Sequence, residues 1–334
     1  MTNFSNVLVN SGGKWVGMVL QLREAMQTIE ALRTGRIMVA STEAVTPAGC
    51  FADEAYIVPP IKNGAYIDTL LKICSQQGVR VVVPLLDVDL VCLAPHLDAF
   101  ERVGTTVICP EPELVDLCFD KGRLEDFLRT ENLPYPRTFM PDQLKEAEYP
   151  LFYKRRRGFG SMGSGICKSY DEAQTILAKV DDLVWQQYVS FPEVSVDAYI
   201  SHSGKCIVCV QWIRDKVVAG EAYRSHTVNI PAVRDLGRRT IESLARRQLR
   251  GPLNVQIFDS DPPLVIEVNT RLGSGRVFSN VACGGRLMSA VLNEACGGIS
   301  DGDPDDYIVG MELYRFLGEV FHVGTQIVKI SPSR

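Results

Sequence analysis

The residues best suited to chemistry lie in the second half of the chain. Lys154 ends the apolar run PLFYK and stands just before the glycine- and serine-rich stretch GFGSMGSG, residues 158–165. Glycines let backbone N–H groups turn toward an anion, and a lysine supplies a point charge. The stretch does not match G-x-x-x-x-G-K-[ST], so it is not a Walker A loop. It reads either as a flap over a phosphate or as an ordinary hairpin loop. Gln186-Gln187-Tyr188-Val189 then leads through Phe191-Pro192 to Glu193. Backbone groups of such a crossing segment can read an adenine edge, and Glu193 can accept from ribose hydroxyls. The plainer alternative is a solvated acid at a strand start. Further on, Glu267 and Asn269 alternate along one strand, so both face the same side. Gln256 sits at a similar level on the strand before. Three oxygen-bearing side chains on one face suit Mg²⁺. Hydrogen-bonded surface residues are the alternative, and the apolar neighbours Val255, Ile257, Ile266 and Val268 fit it poorly. Arg271, directly after, has the charge to neutralise a transferring phosphoryl group.

These residues need elements to hold them. Up to about residue 110, strand-like runs (NVLVN at 6–10, RIMVA at 36–40, VRVVVP at 79–84, TTVIC at 105–109) alternate with helical stretches at 15–32 and 66–77. Such alternation predicts a parallel sheet with both faces covered. Ligands on such sheets bind beyond the carboxyl ends of the strands. Ser11-Gly12-Gly13 and Asp87-Val88-Asp89 occupy such places. A plain turn and a helix cap are their respective alternatives, the first because G-x-G-x-x-G is incomplete. Helices are expected at 120–130, 171–179 and 232–249. Strands at 150–154, 184–189, 193–200, 205–212 and 216–223 are spaced for an antiparallel sheet, and 254–258 pairs with 264–268 as a hairpin.

The chain has 334 residues, 46% hydrophobic and 22% charged, so there is enough apolar surface to fold two or three packed units. Its 35 basic and 40 acidic residues give a net charge of −5, which argues against a general nucleic-acid binder. No apolar run reaches the roughly 18–20 residues that span a bilayer, and the N-terminus lacks signal-peptide character. The expectation is a cytoplasmic protein with no membrane or nucleic-acid partner. Ten scattered cysteines, mostly in apolar runs, suit small buried hydrophobes in a reducing compartment. Cys206 and Cys209 alone have C-x-x-C spacing. In the strand-like KCIVCVQW they are expected on opposite faces, out of reach of one metal.

In order and spacing, Lys121, Lys154 with its glycine stretch, Gln186 to Glu193, Gln256, Glu267, Asn269 and Arg271 resemble the ATP-grasp superfamily. The likeness is nearest to the ATP-binding half of carbamoyl-phosphate synthetase large chains and stand-alone proteins of that type. LCFDKGRLEDFLRTENLPYPRTF and VIEVNTRLGSG carry much of it. The resemblance implies an α/β protein: an N-terminal parallel-sheet domain at 1–112, then an α+β ATP-grasp domain at 113–334. Within the latter, a flap sub-domain spans about 135–190 and an antiparallel sheet with the metal site about 191–334.

The resemblance also implies roles. Lys121 and Lys154 contact ATP phosphates, with Ser161 in the flap. Gln187 and Val189 offer backbone groups to adenine beside Gln186, and Glu193 holds the ribose. Gln256, Glu267 and Asn269 bind Mg²⁺, and Arg271 meets the γ-phosphate. Across from the flap, Arg224 is a candidate carboxylate clamp and His226 a candidate proton acceptor, with Arg276 a further clamp. A polar loop is the alternative for 220–226. The implied activity is an ATP- and Mg²⁺-dependent carboxylate–amine ligase that works through an acyl phosphate on small molecules, and a homodimer is a candidate assembly. Other readings are a carbamate- or phosphoryl-transferring enzyme on the same fold, a non-catalytic ATP-binding protein, or a dehydrogenase built on the first domain. Several positions depart from the family pattern. Gln186 and Gln256 stand where acids are common, Thr270 replaces the proline of N-P-R, and Phe191 replaces a glycine. Lys154-Arg155-Arg156-Arg157 is unusually basic, a feature that suits phosphates or an acidic substrate.

Overall fold

The computed structural model describes residues 4–158, 160, 163–218, 221–323 and 326–329. Five strands, β1 (Asn6–Asn10), β2 (Ile37–Ser41), β3 (Glu54–Ile57), β4 (Val79–Pro84) and β5 (Thr106–Val107), form a sheet in the order β3-β2-β1-β4-β5. All its pairings are parallel. Around it lie α1 (Val16–Gln27), α2 (Pro47–Phe51), α3 (Tyr66–Gln77), α4 (Asp87–Leu93) and α5 (Leu97–Arg102). The central strands read as continuous apolar runs because both faces are covered. Val7, Val9, Val39, Val81 and Val83 share a core with Met18, Leu22 and Met26 of α1. Leu8, Met38 and Val82 share another with Leu70 and Cys74 of α3. Edge strand β3 escapes the sequence pattern, because its residues are only half buried.

Strand order reverses between β1 and β4, which opens a crevice beyond their carboxyl ends. Ser11-Gly12-Gly13 lies there, and its glycine has a packing reason. A Cβ on Gly12 would sit 2.9 Å from Val39 Cγ1. Ser11 Oγ donates to Asp89 Oδ1 at 2.8 Å, which ties the loop after β1 to α4.

Helices α6 (Pro112–Phe119) and α7 (Lys121–Thr130) lead out of this sheet. Asp120 caps α7, accepting from the N–H groups of Gly122 and Arg123. Next come β6 (Thr138–Phe139), β7 (Leu151–Arg155), β8 (Gly165–Cys167), α8 (Tyr170–Leu177) and β9 (Leu183–Gln187). The four strands pair as β6-β9-β7-β8 over a small core of Leu144, Leu151, Cys167, Ala173 and Trp185.

The largest sheet is antiparallel. It contains β10 (Glu193–Ile200), β11 (Cys206–Val218), β12 (Glu221–Val228), β13 (Gly251–Phe258), β14 (Leu264–Asn269) and β15 (Glu312–Tyr314), in the order β14-β13-β10-β11-β12-β15. One face, with Val194, Val196, Ala198, Val255 and Ile257, packs on Val233, Leu236 and Leu244 of α9 (Pro231–Arg246). The other face is divided. Tyr199, Val208 and Val210 join the core of α1, together with α11 (Arg286–Ala295), which follows α10 (Arg276–Ala282). The remainder, around Ser195, Asp197, Asn254 and Gln256, faces a cavity.

Three sequence expectations are corrected here. The strands expected at 205–212 and 216–223 are replaced by one strand, β11, that runs from Cys206 to Val218, and by β12, which makes 221–228 a strand rather than the alternative loop. The register of β11 shifts at Arg214–Val217, so the polar residues there read as a break. Cys206 and Cys209 share a face. A bulge opposite Tyr199–Ile200 turns both Ile207 and Val208 to the α11 side, which leaves the two cysteines together on the α9 side. Among the described residues no helix is long and apolar enough to cross a membrane.

Candidate active site

A cavity of about 680 Å³ lies between the four-stranded and six-stranded sheets. Lys121, Lys154, Gln186, Gln187, Val189, Glu193, Gln256, Glu267, Asn269 and Arg271 all line it. Residues spread across the chain meet there because β7 and β9 pair in one sheet while β10, β13 and β14 pair in the other.

Lys154 is a strongly perturbed group at the site. On β7 it alternates inward with Phe152, and it is only 7% exposed. Its Nζ donates to the carbonyl of Ile266 at 3.4 Å. Burial pushes its pKa down to about 8, against the pull of Glu267, Glu125 and Glu193 and with the push of Lys121. Lys121, the first residue of α7, donates from Nζ to the carbonyl of Gly158 at 2.9 Å, at the base of the glycine stretch. Two ammonium groups thus approach the same space, one of them largely dehydrated. That is a setting for phosphate oxygens.

At the β9–β10 crossing, Gln186 is buried and Gln187 is exposed. Glu193 follows, its pKa raised by burial although the guanidinium of Arg214 lies against it and donates to it. Arg214 was not legible as a site residue. It sits 21 positions away on the neighbouring strand.

The β13–β14 hairpin presents a square of side chains. Gln256 stands opposite Glu267, and Asn254 opposite Asn269. All four line the cavity. A carboxylate and carboxamide oxygens are the donors a hard divalent cation takes. Among the described residues, no cluster of three or more His, Cys, Asp or Glu side chains is arranged to hold a metal. Glu267 is the one acid of this square, with amide oxygens around it.

Beneath the hairpin lies a buried network that single-strand patterning does not reveal. Asp197 accepts from Trp212 Nε1 at 2.9 Å, from Asn254 Nδ2 at 2.8 Å, from Ser279 Oγ and from the guanidinium of Arg276. Arg276, read from sequence as a carboxylate clamp, is 1% exposed and already engaged; burial lowers its pKa. Its Nη2 donates to the carbonyl of Arg271 at 3.0 Å. Gly275 permits this packing, since a Cβ there would lie 2.3 Å from Trp212 Cζ2. The guanidinium of Arg271 reaches the other way, to Asp87 Oδ2 on α4 at 2.8 Å.

Other candidates lie elsewhere. Arg224 and His226 pair with Tyr314 and Glu312 on edge strand β15, on the face opposite Ser225 and away from the cavity. Arg224 stacks over the Tyr314 ring at 5.4 Å, and His226 Nδ1 lies 2.9 Å from Asp215 Oδ1. The β-alternation of β12 is the reason: the expected strand stops at 223, and beyond it the segment has no legible facing. Ser161 lies outside the described residues. The basic run is also partly spoken for. Arg156 Nε donates to Asp120 at 2.7 Å and Arg157 Nε at 3.1 Å, and Arg157 also pairs with Asp116. Two of the three arginines therefore brace the start of α7 instead of facing a substrate; only Arg155 lines the cavity.

Residues 118–275 match the ATP-grasp domain, whose family members are ATP-dependent ligases that form C–N bonds, and the two sheets and the cavity lie within this part of the chain and its neighbours. More particularly, this domain follows a PylC-like N-terminal domain, matched over residues 7–108. The chain is 22% identical over 289 residues to a carbamoyl-phosphate synthase from Methanobrevibacter smithii, covering 80% of this chain and 77% of that one. Its fold is similar to the biotin carboxylase domain of the 2-oxoglutarate carboxylase of Hydrogenobacter thermophilus, solved as a dimer with MgADP, ADP and bicarbonate. The TM-score is 0.75 at 16% identity, covering 92% of this chain and 73% of that one. It is also similar to an L-amino acid ligase from Bacillus licheniformis, with TM-score 0.66 at 19% identity, covering 87% and 74%.

Proposed function

We propose that this chain is an ATP- and Mg²⁺-dependent ligase that activates a small carboxylate, an amino acid or a similar acid, as an acyl phosphate and joins it to an amine. One observation carries the reading. Lys154, Glu267, Asn269 and Arg271, far apart in sequence, line one cavity with a dehydrated cation on one wall and oxygen donors on the other.

On this reading Lys121 and Lys154 hold the phosphates. Gln187 and Val189 present backbone groups to adenine next to Gln186, and Glu193, steadied by Arg214, accepts from the ribose. Gln256, Glu267 and Asn269 would hold Mg²⁺, for which their oxygen donors fit. When bound, the ion supplies charge neutralisation between phosphate oxygens. The substrate carboxylate oxygen attacks the γ-phosphorus, the bond to the β-phosphate oxygen breaks, and ADP leaves. The amine nitrogen then attacks the acyl carbon, inorganic phosphate departs, and the amine loses a proton. Phosphorylation converts a poor leaving group into a good one, so no side-chain nucleophile is required. Arg271 sits where it can meet charge on the transferring group. Arg224 and His226, on the outer face, have no part in this scheme. Ten free cysteines fit a cytoplasmic setting.

The test is phosphate release from Mg-ATP against a panel of amino acids and small acids, singly and in pairs, with mass detection. Phosphate that appears only with one pair, together with a product equal to their sum less water, is the expected result. Phosphate release that needs no second substrate, with no condensed product from any pair, would reject the ligase reading.

A further inference from the structure

Arg271 is restrained at two points, one from each half of the molecule. Its backbone carbonyl accepts from Arg276 Nη2 at 3.0 Å, and Arg276 is itself buried and paired with Asp197. Its guanidinium Nη2 contacts Asp87 Oδ2 at 2.8 Å. Asp87 is the first residue of α4, beyond the carboxyl end of β4, in the crevice where strand order reverses.

That aspartate stands on a rigid frame. The Asp89 carboxylate accepts from the N–H groups of Leu85 and Leu86 and from Ser11 Oγ, which locks the turn into α4. The Asp87 side chain is only 10% exposed, so its contact with Arg271 is shielded from solvent. Asp87 engages one terminal nitrogen of the guanidinium. Among the described residues Arg271 Nε is buried and has no partner, so donor capacity remains for a ligand. A loop arginine free to sample rotamers would have to be ordered at the moment of phosphate binding. One held in advance is already ordered.

We propose that Asp87 is a positioning residue: by pairing with Arg271 across the interface it aims the guanidinium at the γ-phosphate, so the N-terminal sheet helps set the phosphate site of the ATP-grasp half. This rests on reading Arg271 as the γ-phosphate residue.

The experiment compares MgADP with Mg-AMP-PNP by calorimetry on the full chain, in wild type, Asp87→Asn, Asp87→Ala, Asp87→Glu and Arg271→Ala. Wild type is expected to favour the triphosphate analogue. Asp87→Asn and Asp87→Ala should reduce its affinity about five- to tenfold while ADP affinity stays within about twofold. Asp87→Glu should recover part of the loss, and Asp87→Ala should add nothing in an Arg271→Ala background. An undiminished preference for AMP-PNP in Asp87→Asn and Asp87→Ala overturns the proposal. So does an equal fall for both nucleotides with a lowered melting temperature, which would mark a merely structural role. If wild type and Arg271→Ala show the same ratio of affinities, the γ-phosphate reading of Arg271 has failed, and the proposal falls with it.

Discussion

Nucleotide binding should draw a proton onto Lys154. The side chain is 7% exposed, and burial lowers its pKa to about 8. Phosphate charges arriving beside the ammonium favour its protonated form and return the pKa toward the ordinary lysine range. At pH 8 roughly half of the free protein carries a neutral Lys154, so MgADP binding should take up about half a proton. The charged fraction is about 90% at pH 7 and about 10% at pH 9, so affinity should fall roughly tenfold between them. The sign follows from the depressed pKa: the binding-competent charged form is lost as pH rises through about 8, and affinity levels off below pH 7. Calorimetry in buffers of different ionisation heat reads the uptake directly, with Lys154→Met as control. The same burial acts on stability. The unfolded chain holds this proton more tightly than the folded one, so the Lys154 contribution makes stability rise as pH climbs from about 8 toward the ordinary lysine value. A shift of this size corresponds to about 3 kcal/mol, so Lys154→Met should stabilise the ligand-free fold at pH 7 by about 1–3 kcal/mol while weakening nucleotide binding. Wild type without uptake at pH 8, or the same uptake in Lys154→Met, would refute the reasoning.

The remaining predictions concern the floor and rim of the cavity and the outer face of β12. Asp197→Ala leaves Arg276 buried without its counter-charge and should cost about 3–5 kcal/mol in denaturant unfolding; a loss below about 1 kcal/mol contradicts the network. Asp197→Leu with Arg276→Met, which removes both charges, should be less destabilised than Asp197→Ala alone. Arg271→Ala should reduce turnover by about 10²–10³ with MgADP affinity nearly unchanged; equal losses in MgADP affinity and turnover would mean simple ground-state binding. Glu267→Ala should abolish Mg-ATP turnover with the fold retained, and full activity would remove the metal assignment. His226→Ala and Arg224→Ala should leave MgADP affinity within about twofold, which filter binding can check.

Much of the cavity was legible because strand alternation is a local signal. Glu267 and Asn269 two apart, and Gln256 at the matching level of a hairpin, needed only the period of a strand. Lys154 declared itself through the glycine stretch after it. Asp197 and Arg214 were not legible as site residues, because each acts through a partner on another element; Asp87 was marked by its place beyond β4, but its partner Arg271 was not. An acid inside EVSVDAYI has no visible meaning until Arg276 and Trp212 are brought to it. Cys206 and Cys209 went the other way: the two-residue period was applied where a bulge breaks it. Arg224 and His226 have suitable chemistry, but the expected strand stops at 223, and without a strand register beyond it the sequence gives them no facing. Strand β12 assigns one, and it points them outward.

The core shared by α1 and α11 has a consequence for how the chain emerges from the ribosome. Met18 and Leu22 of α1 share a core with Leu287, Met288 and Val291 of α11, and the two helices pack together. The first sheet and α1 are fully translated by residue 107, yet α11 ends at Ala295. At ordinary elongation rates that leaves the α11-facing side of α1 uncovered for about 10–40 s. During that interval it is an apolar surface available to a holding chaperone or to a neighbouring nascent chain. The N-terminal unit therefore reaches its final packing only when the last third of the protein arrives.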